Sequence, residues 1–347
     1  MCCRDYSITE QARQTSRRLF MRQGAMAMIT LGFAPSFVTR AAAAAGSGTK
    51  LQITVFQRGA VDGLNMVVPY GESEYYRARP SIAIARPGAA DGALDLNGFF
   101  GLHPRMAAFK PLWDRGELAI VHASGSHDMT RSHFDAQDYM ESATPGIKST
   151  HDGWLNRYLA ASEAGRNPLR AVALTKQMPR SLQGTAPALA IGSTADFAVA
   201  DMSARTSFEE IYQATKDQSL NDAGSEAFGA MKMLAKKTAG TYQPANGASY
   251  PRSPFGQALQ EIARLAKSDV GLEVAFAEST QWDHHVNEGA ATGQIANRLD
   301  DFSRGIAALA QDLGDRMADT VILTMSEVGR AVAENGSRGT EIGRAHV

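Results

Sequence analysis

Cysteine is almost absent from this sequence. The only two, Cys2 and Cys3, stand at the extreme N-terminus of the 347 residues. Both precede the paired arginines Arg17 and Arg18, so a chain processed after that pair has none. Structural disulfides, thiolate metal sites and cysteine nucleophiles are then excluded from it. Surplus charge of either sign is also lacking. The formal net charge is −1, which offers no basic face for nucleic acid and no acidic tail. Several catalytic signatures are missing: G-x-S-x-G, H-E-x-x-H, G-x-G-x-x-G and the phosphate-binding loop. "AGSGTK" (Ala45–Lys50) ends in lysine but precedes a strand rather than a helix. These absences weigh against a serine esterase, a nucleotide triphosphatase and a dinucleotide enzyme. What remains is ordinary for a globular enzyme: 44% hydrophobic and 20% charged residues. The length suffices for a large core.

The N-terminus reads as an export signal. "SRRLFMR" (Ser16–Arg22) precedes the apolar run "AMAMITLGFAPSFV" (Ala25–Val38) and the small-residue stretch "RAAAAAG" ending at Gly46. A basic region, a short apolar core and an Ala-x-Ala site define a secretory signal. The paired arginines point to the twin-arginine export machinery, which moves folded proteins. The apolar run is shorter than the roughly 20 residues that span a bilayer. We expect residues 1–45 to be removed between Ala43 and Gly46. The mature chain is then periplasmic or extracellular, without a transmembrane helix.

The rest alternates between strand and helix patterns. Strands are expected at "KLQITVFQRG" (Lys50–Gly59), "ELAIVHASGS" (Glu117–Ser126), "LRAVALT" (Leu169–Thr175), "VGLEVAFAEST" (Val270–Thr280) and "TVILTMSE" (Thr320–Glu327). Helices are expected over His103–Gly116, Arg131–Ala143, most of Ser203–Lys267, and from Gly293. In the last, Ile295, Leu299, Phe302, Ile306, Leu309 and Leu313 recur at three and four. Continuous apolar strands between helices predict an α/β domain with a mostly parallel sheet covered on both faces.

Sites in such sheets form at the carboxyl ends of strands. Asp62 follows the first strand. The loop "SGSHDMTRSHFD" (Ser124–Asp135) follows the second. Asp283, His284 and His285 follow the strand at Val270, and Glu327 ends the last. Together they suggest an oxygen- and nitrogen-ligated divalent metal: Zn²⁺, Mn²⁺, Mg²⁺ or Ca²⁺. Each alone has a plainer reading, such as a turn for Asp62 before Gly63. The histidines read otherwise: His103 as a helix start, His122 as a satisfied core residue, His151 as a loop residue. "SHDMTRSHFDAQDYM" (Ser126–Met140) carries two hydroxyls, Thr130 and Ser132, where a strand is expected to hand over to a helix. A nucleophilic hydroxyl beside a metal can attack phosphorus or sulfur, with Arg131 clamping the oxyanion. Simple capping by Ser132 or Thr130 is the competing reading and carries more weight from this segment alone.

Four segments carry a family resemblance: "RGAVDGLNMVVPYGESEYYRARPSIAI", "GFFGLHPRMAAFKPLWDRGELAIVHASGSHDMTRSHFDAQDYME", "QWDHHVNEGAATGQIANRL" and "VILTMSEVGRAVAENGSRGT". Over Leu51–Thr340 the chain resembles the exported bacterial proteins grouped as domain of unknown function 1501, a branch of the alkaline phosphatase and sulfatase superfamily. The resemblance implies an alkaline-phosphatase-like α/β fold and a metal-dependent hydrolase of phosphate or sulfate esters. Its substrate is a small-molecule or polysaccharide ester. It matches Asp62 to the metal aspartate of the first strand, Asp283 and His285 to W-D-x-H, and Glu327 to the acid after the last motif strand. Thr130 or Ser132 falls in the nucleophile region. The rival expectation is a non-catalytic exported binding protein on the same fold. The pattern departs after Thr340, where the family continues with Asp-His-Gly-His. "EIGRAHV" (Glu341–Val347) equals a translated sequencing adapter, so we expect residues 341–347 to be non-native and the domain over 46–340 to be truncated.

Overall fold

The computed structural model describes residues 50–161, 167–192, 233–238 and 240–343. The export signal, and the expected helical stretch from Ser203 as far as residue 232, lie outside the described residues. By contact the chain divides into two units, and the described part of the smaller one is Pro111–Ile120. That piece is helical through Asp114 and turns at Gly116, whose φ of +68° suits glycine. Arg115 and Glu117 pair across the turn.

The larger unit is built on five parallel strands. They are β1 (Leu51–Gln57), β5 (Ala171–Ala173), β6 (Leu189–Ala190), β7 (Val274–Ser279) and β8 (Thr320–Ser326), in the order β6-β5-β7-β1-β8. Short strands β2 (Val67–Val68), β3 (Leu94–Asp95) and β4 (Gly101–Leu102) make a second, antiparallel sheet. Strands β9 (Gly329–Arg330) and β10 (Ile342–Gly343) pair as a small antiparallel ladder. The expected first, third, fourth and fifth strands therefore exist, trimmed at their ends.

Helices of the described residues include, in chain order, α1 (Gly63–Met66), α2 (Ser73–Ala78), α3 (Lys110–Asp114), α4 (His133–Ser142), α5 (Trp154–Ala160), α6 (Pro254–Lys267) and α7 (Gln294–Leu313). One sheet face buries Phe56, Ala171, Ala173, Val274 and Phe276 against Leu155 and Leu159 of α5. The alternate residues Ile53, Val55, Ala275 and Ala277 are equally buried, and α6 packs against β7. Helix α7 packs on α6 through Phe302, whose ring stacks on Phe255. The apolar residues at three and four are what build this layer: Ile295, Leu299, Phe302, Ile306, Leu309 and Leu313 are all buried. Edge strand β8 leaves Val321 and Leu323 partly open.

Three expectations are corrected. "ELAIVHASGS" forms no strand. The chain turns at Ala123, with φ +54°. Val121 is 70% exposed. His122 is likewise no core histidine; it lies exposed, stacked on Phe100 with ring centroids 4.3 Å apart. The helix expected over His103–Gly116 starts instead as a 3₁₀ segment, Pro104–Phe109, kinked at Met106. His103 caps it, accepting at Nδ1 from the Arg105 N–H. Burial lowers the His103 imidazole to about 4, and Nε2 bonds the carbonyl of Ala290.

Candidate metal centre

Parallel pairing puts the carboxyl ends of β1, β7 and β8 on one edge of the sheet. Gln57 is in register with both Ser279 and Ser326. Three loops leave from that edge. The loop after β7 is anchored by Trp282, fully buried, whose indole donates to the Ser279 carbonyl at 3.1 Å and whose ring meets Phe302 edge-on. The loop after β1 lies against it. The Trp282 N–H bonds the Arg58 carbonyl, and a Cβ on Gly59 would fall 2.6 Å from the Asp283 nitrogen. Gly59 also has φ +116°, so both space and conformation require glycine.

Arg330, just beyond β8, ties these loops together. Its buried guanidinium donates to the carbonyls of Gly59 (2.6 Å), Ala60 (2.7 Å), Trp282 (3.0 Å) and Thr340 (2.9 Å), and to Asp283 Oδ1 (2.7 Å). Burial raises the Asp283 carboxyl, but the bond and charge of Arg330, with His285 and His133, outweigh it and hold the group low. Asp283 is therefore ionised.

Helix α4 brings the third participant. Ser132 is its N-cap, accepting from the Asp135 N–H at 3.3 Å, so His133 is the first helical residue. The helix is pinned to the sheet edge through Arg58, which pairs with Glu141 (2.8 Å) and Glu278 (2.7 Å). Gln137 adds a bond to Glu327 at 3.1 Å. His133, Asp283 and His285 then offer ligand atoms all within 4.8 Å of one another. His285 Nε2 lies 2.8 Å from Asp283 Oδ1, and His133 Nε2 lies 3.5 Å from the same oxygen. His285 Nδ1 faces Glu341 at 3.1 Å.

Two features show that this donor set fits a cation. First, His133 Nε2 is buried and has no hydrogen-bond partner. Second, Asp283 and Glu327 flank the two imidazoles, with Arg330 as the guanidinium in contact. With neutral imidazoles these groups carry one negative charge in excess. Two histidines and a carboxylate suit Zn²⁺ or Mn²⁺.

Of the residues expected from sequence, the structure brings Asp283 and His285 together, with Glu327 one step behind through His133. It does not bring Asp62 to them. The Asp62 carboxylate is buried and held bidentate by Arg79, which also bonds Asn65 and the carbonyls of Ala331 and Val332. Thr130 and Ser132 spend their oxygens on local turns, accepting from the N–H groups of Ser132 and Asp135. Arg131 is exposed. His284 turns inward beside Trp282, and burial with the charges of Arg330 and Arg298 lowers its imidazole to about 4. Arg330 went unread in the sequence, and His133 was not singled out within its loop, which was read as a set of potential ligands. The signal for His133 was present: a serine cap places the next side chain on the first turn, facing the strand ends.

The geometry defines a parallel α/β protein with a histidine–carboxylate cluster outside the carboxyl edge of its sheet. The chain belongs to the family described as protein of unknown function (DUF1501), whose model matches residues 49–346. No curated protein and no solved structure matches the chain. No helix of the described residues is long and apolar enough to cross a membrane.

Proposed function

We propose that this chain is an exported, metal-dependent hydrolase of phosphate or sulfate esters, built on an alkaline-phosphatase-like fold. One observation carries the reading. His133, Asp283 and His285 come from two separate elements, yet they converge at the carboxyl edge of a parallel sheet, with one imidazole nitrogen left bare. His133, Asp283 and His285 hold the cation. Bound there, a divalent ion supplies Lewis-acid stabilisation of the transferring group and lowers the pKa of water. Arg330 fixes the aspartate. The hydroxyl of Ser132 or Thr130, at the start of α4, would serve as the nucleophile, and the Arg131 guanidinium would clamp the oxyanion. Export through the twin-arginine machinery, folded and metal-loaded, agrees with this chemistry.

The test is turnover of aryl phosphates and aryl sulfates with added Zn²⁺, Mn²⁺, Mg²⁺ and Ca²⁺. A metal-loaded protein that hydrolyses none of them would sink the hydrolase reading. A specific observation supports the rival, a non-catalytic exported binding protein. Two clefts of the described residues are lined by Pro254, Gln257 and Glu261, and by Met178, Gln183 and Ala188. Neither includes a residue of the cluster. Binding of a polysaccharide without turnover would select that reading.

A further inference from the structure

We infer that Glu327 is a positioning residue for the metal centre, not a ligand: it sets the tautomer of His133 and so turns the Nε2 lone pair toward Asp283. This rests on the metal-site reading above and assigns the site a second layer.

Glu327 is fully buried at its side chain. Its Oε1 accepts from three donors: the Gly59 N–H (2.8 Å), Gln137 Nε2 (3.1 Å) and His133 Nδ1 (3.0 Å). That oxygen's lone pairs are saturated, Oε2 faces the Ser326 hydroxyl at 3.2 Å, and Glu327 is not among the residues whose ligand atoms cluster, which are His133, Asp283 and His285. A carboxylate only accepts, so His133 Nδ1 must carry a proton. In the neutral imidazole Nε2 then carries none. Yet Nε2 faces Asp283 Oδ1, another acceptor, at 3.5 Å. Two lone-pair atoms apposed in this way repel unless a positive charge, a bound cation or a second proton on the imidazole, stands between them. Nε2 is accordingly the atom without a hydrogen-bond partner. The arrangement Glu327–His133–cation–Asp283 resolves it. This is how outer carboxylates orient ligand histidines and raise their basicity. Glu327 also bonds Gly59, so the same carboxylate fixes the loop that abuts Asp283.

The test has two arms. In metal-free full chain labelled with ¹⁵N histidine, long-range ¹H–¹⁵N spectra read each tautomer. Recorded at a pH high enough for His133 to be neutral, the spectra are expected to show Nδ1–H with bare Nε2, opposite to the usual preference of free histidine. Glu327→Leu is expected to return it to Nε2–H, and Glu327→Gln, whose amide oxygen still accepts, to retain Nδ1–H. In the second arm Co²⁺ is titrated and its visible spectrum followed. Glu327→Gln should leave stoichiometry and band positions unchanged. Glu327→Leu should weaken affinity about 10- to 100-fold, and His133→Ala should shift the bands. Should the leucine variant not fold, the wild-type and glutamine spectra decide alone. A wild-type His133 with Nε2–H, or bands that shift in Glu327→Gln, overturns the inference. If wild type shows the stated tautomer but takes up no Co²⁺, the hydrolase reading falls and the histidine–carboxylate pairing stands. If Co²⁺ binds while His133 is Nε2–H, the pairing falls and the hydrolase reading stands.

Discussion

Asp62→Asn separates a structural carboxylate from a metal ligand. In the structure both Asp62 oxygens face Arg79, which is completely buried and uses its remaining donors on Asn65 and two backbone carbonyls. Removing one partner of a buried ion pair costs about 3–5 kcal/mol, because the other charge is stranded. Here the lower end is expected. Glu288 lies against Asp62, and burial together with the Asp62 charge raises its carboxyl to about 9. Without Asp62 the Glu288 carboxyl can ionise and give Arg79 a substitute partner. A loss of about 3 kcal/mol should lower Tm by roughly 5–10 °C for a domain of this size. Urea unfolding should report the same loss as a shifted midpoint with little change in slope. Metal content and affinity, measured on the folded variant, should stay within a few-fold of wild type. The reasoning is refuted if stability is unchanged while metal is lost, because Asp62 would then be the strand-end ligand that its sequence position suggests.

Other perturbations probe neighbouring parts. Glu288 has its folded carboxyl above the ordinary 4.5, so the folded state holds the proton more tightly than the unfolded one. Stability contributed this way is complete below about pH 4.5 and declines as pH rises toward 9. Glu288→Gln keeps a donor for Asp62 and should flatten that decline; equal slopes in urea midpoints at pH 5, 7 and 9 would count against the shared proton. Gly59→Ala places a Cβ against the Asp283 backbone at positive φ. It should cost at least roughly 1–2 kcal/mol and weaken metal binding, and a variant as stable as wild type would argue against the close approach. Ser132→Ala removes the cap of α4 and should cost about 1 kcal/mol in thermal unfolding. No measurable loss would mean that the cap bond is not formed.

Much of the scaffold could be read from residue patterns. β1, β7 and β8 are β-branched or apolar runs closed by polar residues, and their parallel pairing gathers Asp283, His285 and Glu327 on one edge. The long helix α7 follows from its period alone. The failures have one cause: the pattern does not identify partners. "ELAIVHAS" is as apolar as a buried strand, but it forms none and turns at Ala123. Asp62 occupies the expected strand-end position, but Arg79, seventeen residues on, takes its charge. His133 was hidden by the hydroxyls beside it. Arg330 gathers four carbonyls that no spacing rule connects.

The most direct measurement is the metal content of the folded protein, by elemental analysis after dialysis against limiting Zn²⁺ or Mn²⁺. Wild type is compared with His133→Ala, Asp283→Ala and His285→Ala. The account predicts a stoichiometric ion in wild type and loss in all three variants while each remains folded by circular dichroism. A wild type without bound metal, or an Asp283→Ala variant that keeps its full content, would contradict it.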